Sequence, residues 1–432
     1  MGEREHPVRL EVDEYLARNR LTVFFRILLA IPHGIWLLLW TIAALLAAIA
    51  NWFATLARGR PPRALHRFLT AYVRYAAHVN AYVLLAANPY PGFTGEPGSY
   101  PVDVVLPAEP EPQARWKTFF RIILVLPAAL LSAFLGGTLG ISGGGSFSSG
   151  RGRRRGGGSP VSTGFLALVC AFLGWFASLV RGRMPKGLRD AIAYGIGYGA
   201  QTLAYFLLVT DRYPNADPIA LLADVEPPPP HPVSISVDDD LQRSRLTVFF
   251  RLLLAVPHLV WLLLWTVVAI LAAIVQWFVA LITGRPVDAL HRFLSAYVRY
   301  TAHVGAYLHL VGNPFPGFAG APGLYPIDVT LPPAEPQSRA VTFFRILLAI
   351  PAWLVNTALQ YALFAAAFLM WFAALVTARA PQGLRNFGAY SIRYTAQTNA
   401  YLYLVTDRYP HASPLEGRAS TLATEHELAP IG

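Results

Sequence analysis

Thr70, Arg74, His78 and Tyr82 stand four residues apart. On a helix, residues at that spacing are neighbours along one face. The pattern returns as Ser295, Arg299, His303 and Tyr307, and again as Ala389, Arg393, Gln397 and Tyr401. A further copy, Ala193, Gly197, Gln201 and Tyr205, lacks the arginine. Arg74 falls near the middle of Ala64–Ala87, a segment long enough to cross a bilayer. An arginine at bilayer centre costs at least about 2.5–3.5 kcal/mol, so something must offset it. No Asp or Glu occurs in the apolar core of any candidate span. That leaves backbone carbonyls, tyrosine hydroxyls, water or an external anion. Two readings follow. The arginines could bond carbonyls freed at a helix break, a structural lock. Alternatively Arg74, His78, Tyr82, Arg299, His303, Tyr307, Arg393, Gln397 and Tyr401 could form an anion or lipid-headgroup site, or line a polar path.

Other chemistry finds less support. Histidines recur as His33/His258, His66/His291 and His78/His303, with no metal-type spacing such as HExxH. Hydrogen bonding is expected of them, and no metal or other cofactor. There is no GxSxG, no Walker-type loop and no pair of carboxylates within a span. Catalysis needs a nucleophile–base or acid–base pair, so an enzyme is not expected.

The elements that must position these residues are repeated. The stretch Leu21–Asn88 reads RLTVFFR, then an apolar run containing Pro32, then Trp52-Phe53, then RGRPPR, then the polar segment and NPYPGF. Phe25, Pro32, Trp52, His66 and Arg74 match Phe250, Pro257, Trp277, His291 and Arg299, each offset by 225. Phe250, Pro257, Trp277, Arg299 and Tyr307 match Phe344, Pro351, Trp371, Arg393 and Tyr401, each offset by 94. Phe25 matches Phe120 by 95, whereas Trp52 matches Trp175 by 123, so the second copy gains 28 residues between its proline and its tryptophan. The expected organisation is repeat 1 at 7–93, repeat 2 at 100–215 with a Gly/Arg-rich insertion at 136–159, repeat 3 at 231–318, repeat 4 at 325–411, and a disordered tail at 412–432.

Each repeat opens on alternating apolar and polar residues, cleanly in Val8–Val12, Val233–Val237 and Ile327–Leu331 and less cleanly in Val102–Leu106. Period two predicts half-buried strands. Isolated strands leave their backbone unpaired, so these are expected to pair. The apolar run Leu21–Ala57 is too long for a hydrocarbon core of about 30 Å. Pro32 is expected to break it into an interfacial amphipathic helix, Leu21–Ile31, and a spanning helix. In the former, Phe24 and Phe25 point inward and Arg26 points to headgroups. The polar helix follows, shielded from lipid. The predicted fold is all-α and transmembrane. About eight spanning helices form four parallel two-helix repeats, each preceded by a short β-strand and an interfacial helix.

Composition agrees with a membrane class. Of 432 residues, 55% are hydrophobic and 14% charged, against about 25% charged in soluble domains. The single cysteine, Cys170, excludes an intrachain disulfide. The N-terminal twenty residues lack the pattern of a secretory signal, so the first apolar run is expected to remain. The net charge of +11 is carried largely by short loops, which argues for a bilayer partner rather than nucleic acid. Arg58–Arg67, Arg181–Asp190, Arg285–Arg292 and Arg379–Arg385 hold 12 of the 35 Lys+Arg and only 2 of the 24 Asp+Glu. The positive-inside rule puts these loops in the cytoplasm, and hence the termini and strands outside.

The motifs YPV-x-V, FFR-x-LL-A-x-P, WF-x-x-L-x-x-GR-x-P-x-x-L and RY…AY…YP together resemble a bacterial family. It is known only as a domain of unknown function, number four-three-eight-nine. The resemblance covers nearly the whole chain as four tandem copies. Repeat 2 departs from it by its insertion and by Gly197. It implies a bacterial multi-pass membrane protein and brings no activity, substrate or catalytic residue. The reading that follows is a non-enzymatic membrane scaffold, or a protein binding lipid or an unidentified protein partner. The alternative is a transporter or channel for an anionic solute, built on the arginines. A lipid-acting enzyme is a distant third.

Overall fold

A computed structural model describes residues 6–13, 15–136 and 165–415. The insertion expected at 136–159 and the tail expected at 412–432 lie almost wholly outside the described residues. The elements run β1 (Arg9–Val12), α1 (Arg20–Phe24), α2 (Arg26–Arg58), α3 (Arg63–Val83), β2 (Val102–Val105), α4 (Arg115–Phe119), α5 (Arg121–Leu135), α6 (Phe165–Arg181), α7 (Lys186–Phe206) and a short α8 (Pro218–Leu221). They continue with β3 (Ser234–Val237), α9 (Arg245–Phe249), α10 (Arg251–Thr283), α11 (Asp288–Leu308), β4 (Ile327–Thr330), α12 (Arg339–Thr377) and α13 (Gln382–Leu402). The chain folds as two compact halves that divide between Asn215 and Pro227. Each half holds two repeats.

The fold is mostly helical. Three helices, α2, α10 and α12, are long and apolar enough to cross a membrane. The apolar helices α5 and α6 are shorter and flank the insertion. The inner helices α3, α7, α11 and α13 are buried along most of their length. Along α2 only Arg26, His33, Leu37, Ala44, Asn51 and Thr55 are buried. That is one narrow stripe at helical spacing. Ile27, Leu46 and Phe53 on its other sides are 82%, 65% and 62% exposed.

Two expectations about this helix fail. Pro32 lies inside continuous α2. Its fixed φ suits a helix, and the bond lost with its N–H does not end the helix. The break sits instead at Phe25, with φ −88° and ψ 6°; in repeat 4, α12 runs unbroken for 39 residues through Pro351. The direction of Arg26 also differs from that expected. Phe24 and Phe25 are exposed, while Arg26 is 2% exposed.

The four strands pair as expected, and antiparallel. Arg9–Val12 meets Val105–Val102, and Ser234–Val237 meets Thr330–Ile327. The strands are exchanged between repeats. β2 opens repeat 2 yet packs chiefly on α3 of repeat 1, and β1 packs on α7 of repeat 2. Asp103 reaches His78 and the carbonyl of Pro107 reaches His66, so β2 and its extension run antiparallel to α3. Gln201 binds the carbonyl of Val8 and Arg189 that of Asp13, so β1 runs antiparallel to α7. Since β1 and β2 are themselves antiparallel, so are α3 and α7.

The repeats within a half are therefore inverted, not parallel. Counting two helices per repeat misses a third traverse. After α3 the chain returns the whole length of that helix, from Tyr100, whose hydroxyl donates to Pro89, to Gln113, whose N–H donates to Gly59. The tryptophans confirm it. Trp52, near the end of α2, donates to Thr118 just before α5; Trp175, near the end of α6, donates to Val23 just before α2. The basic loops Arg58–Arg67 and Arg181–Asp190 thus lie at opposite ends of their half. The second half repeats this arrangement, with Trp277 donating to Thr342 and Arg245 to Val376.

Candidate functional site

The four-residue file on the inner helix does not stay together. Steps of four turn about 40° beyond a full turn, so Arg74 and Tyr82 drift apart around the helix. Arg74 and His78 face the strand, whereas Tyr82 faces α2.

On the strand side, Arg74 donates from Nε to the carbonyl of Val104 and from Nη1 to that of Gly95, each at 3.2 Å. Its Nε also lies 3.4 Å from Asp103 Oδ1. His78 Nε2 is 2.8 Å from the same oxygen. Asp103 accepts from the N–H groups of Gly98 and Val104 as well. Burial opposes ionisation of Asp103, but His78 and these two N–H groups outweigh it and hold the carboxyl below its ordinary value. Repeat 3 builds the same cluster. Arg299 donates to Val329 and Gly320 and pairs with Asp328 at 3.5 Å, and His303 Nε2 is 2.9 Å from Asp328 Oδ1.

The expectation that these arginines lack an acidic partner is thus overturned. The acid comes from a strand, outside every helix, so the acid-free spans give no sign of it. Its signal was available, since Asp103 and Asp328 share the 225-residue offset.

Gly95 makes the cluster possible. It has φ +63°, and a Cβ there would lie 2.4 Å from the carbonyl oxygen of Ala71. Gly98 has φ +68° but open space around it. Gly98→Ala is expected to cost about 1–2 kcal/mol for the left-handed conformation alone. Gly95→Ala adds a backbone clash, so its unfolding midpoint should fall further than that of Gly98→Ala in matched urea titrations.

On the outer-helix side, Tyr82 lies under a different arginine. The guanidinium carbon of Arg26 is 4.4 Å from the Tyr82 ring centroid. Arg26 donates to the carbonyls of Tyr82 (2.5 Å), Ala87 (2.9 Å) and Asn88 (3.3 Å), which end the inner helix. Arg251 does the same with Tyr307, Gly312 and Asn313. Arg345 binds the carbonyls of Tyr401 and Thr406 and the carboxylate of Asp407, with Tyr401 beneath it. Arg121 stacks 4.0 Å from Tyr205 and pairs with Asp211. Beyond each helix a leucine adopts positive φ: Leu85, Leu208, Leu310 and Leu404. Their carbonyls accept from Arg18, Gln113, Arg243 and Gln337. Each inner helix is thus followed by a left-handed leucine whose carbonyl takes a side-chain donor, and in repeats 1, 3 and 4 the FFR arginine binds further carbonyls there. The arginine of FFR was missed as a site residue, although Arg26–Tyr82, Arg251–Tyr307 and Arg345–Tyr401 all share a spacing of 56.

The remaining predicted residues are also bonded locally. Arg393 donates to the carbonyl of Ser413 at 2.5 Å and lies over Tyr390. Gln397 donates to Val233 and accepts from the N–H of His411. His33 and His258 bond Tyr75 and Tyr300, each at 2.8 Å. Among the described residues, no three His, Cys, Asp or Glu side chains are grouped to hold a metal ion. An open apolar cleft of about 320 Å³ is lined by Pro257, Val260, Trp261, Leu264 and Phe318, none of them in the arginine clusters.

No curated protein and no solved structure matches the chain. A family model described as a domain of unknown function (DUF4389) matches residues 20–94, 162–216, 245–319 and 339–413. These four matches contain the FFR arginines of repeats 1, 3 and 4 and all four inner helices, and they cover more than half of the sequence. The chain belongs to the DUF4389 family, as four tandem copies of its domain.

Proposed function

We propose that the protein is a non-enzymatic membrane scaffold whose direct partner is the lipid bilayer. The observation that carries this reading is how the buried cations are satisfied. Arg74 and Arg299 are held by carbonyls and an aspartate within their own half. Arg393 is held by the carbonyl of Ser413. Arginines serving a transported anion would keep donors directed into a shared water-filled path. Here the donors secure strands and loops to inner helices. The outer helices meanwhile present apolar side chains that none of the described residues covers, such as Ile27 and Leu252, 82% and 74% exposed. Surfaces of that size on a soluble chain mark an interaction face, and lipid tails suit this one. The basic loops would add charge that complements anionic headgroups.

Chloride flux from liposomes separates the scaffold from the transporter. Liposomes carrying the wild-type protein should be no leakier than empty ones. A chloride flux that Arg74→Ala or Arg299→Ala abolishes would refute the scaffold reading.

A further inference from the structure

Three features of each half bear on how it meets the bilayer. The first is length. As a helix of 33 residues, α2 extends about 50 Å at about 1.5 Å per residue. The hydrocarbon core is only about 30 Å thick, and exposed apolar residues run along α2 from Ile27 to Phe53.

The second is the level of the sheet. Arg74, midway along α3, bonds Val104, which pairs with Leu10. The strands thus lie beside the middle of the helices, not beyond their ends. Next to Leu10 stands Glu11, exposed and opposite Asp103. Were α2 and α3 upright, this carboxylate would sit at hydrocarbon depth, where ionised side chains are strongly disfavoured. In the second half, Ser236 is exposed at the corresponding level, opposite Asp328.

The third is charge. Because the repeats are inverted, exposed Arg58 and Arg60 lie at one end of the first half, and exposed Arg181 and Arg183 at the other. Upright helices would divide these cations between the two sides of the membrane, against the positive-inside bias.

One placement answers all three. We infer that the long helices lie along the membrane plane, sunk into one leaflet of anionic phospholipid, with the sheet toward water. The sheet and the outer helices already lie on different sides of the inner ones. α3 turns His66, Arg74 and His78 to the strand and Tyr72, Tyr75 and Tyr82 to α2. With the axis flat, helix length no longer has to match bilayer thickness. Glu11 reaches water. The basic loops at both ends meet headgroups of the same leaflet, and their charge complements anionic lipid. The inverted pair then presents both repeats to the membrane equally. This inference rests on the membrane reading above and replaces the multi-pass arrangement expected from sequence.

Single cysteines at Arg60 and Arg183 in the full-length protein test it, with a membrane-impermeant maleimide applied to intact and then to lysed cells. Native Cys170 is buried and gives the background. In-plane helices predict that both positions label in intact cells, or that both label only after lysis. Labelling of one position in intact cells and of the other only after lysis overturns the inference. Cysteines at Arg285 and Arg379, also exposed, repeat the measurement in the second half. Flotation of the wild-type protein with phosphatidylglycerol vesicles reads the underlying membrane association separately. A protein that stays at the bottom of the gradient overturns both readings, whereas split labelling with flotation overturns only the in-plane placement.

Discussion

Arg26→Ala should lower unfolding stability by at least about 1–3 kcal/mol, the cost of leaving a buried acceptor without its donor. The substitution removes the donor of the Ala87 and Asn88 carbonyls and leaves that of Tyr82 with only the Leu85 N–H. It also uncovers the face of Tyr82. Arg26→Lys keeps the charge but cannot fork between several carbonyls, so it should recover only part of the loss. Urea unfolding in detergent, followed by tryptophan fluorescence, gives the comparison. If Arg26 instead reached for headgroups, as an arginine beside an apolar helix ordinarily does, Arg26→Ala would change stability by less than about 0.5 kcal/mol. Equivalent losses are expected from Arg251→Ala and Arg345→Ala, because the same carbonyls are bound in repeats 3 and 4.

Asp103→Asn should cost roughly 3 kcal/mol, the low end of the range for leaving a buried charge uncompensated. Arg74 would keep its two carbonyls but lose its counter-charge, and His78 would lose a charged acceptor. The same variant should change the pH dependence. Asp103 and Asp328 are held below their ordinary value in the fold. Their stabilisation is therefore complete above the unfolded value of about 3.9 and is lost as pH falls through the lower folded value. Wild-type stability should decline through that acid window. Asp103→Asn should remove part of the decline, and Asp103→Asn with Asp328→Asn should remove more. An acid limb unchanged in the double variant would show that these carboxylates do not link folding to pH.

Much of this was legible in the residues. The alternation of Val8–Val12 and Ile327–Leu331 located strands because a half-buried strand must alternate. The four-fold offsets located the repeats. Three things escaped for physical reasons. Arg26 follows two phenylalanines at the start of an apolar helix, and local amphipathicity cannot tell a headgroup from a carbonyl sixty residues away in sequence. The file through Arg74, His78 and Tyr82 looks like one face only while its rotation is ignored. The orientation of successive repeats depends on Tyr100–Gln113, which has too little regular structure to be counted as a crossing.

That returning strand has a consequence for how such a chain can be cut or extended. β1 and β2 are exchanged, so repeat 1 receives its aspartate from the strand that opens repeat 2, and repeat 2 holds Val8 of repeat 1 through Gln201. One repeat alone would carry a strand with no mate and an arginine with no acid. The two halves match at a constant offset of 225 residues, so the length that recurs is the pair of repeats, which is also the unit that closes on itself. Truncation after Glu226, which keeps Ala220–Glu226 with the first half, should yield a folding product; truncation after Phe93 should not.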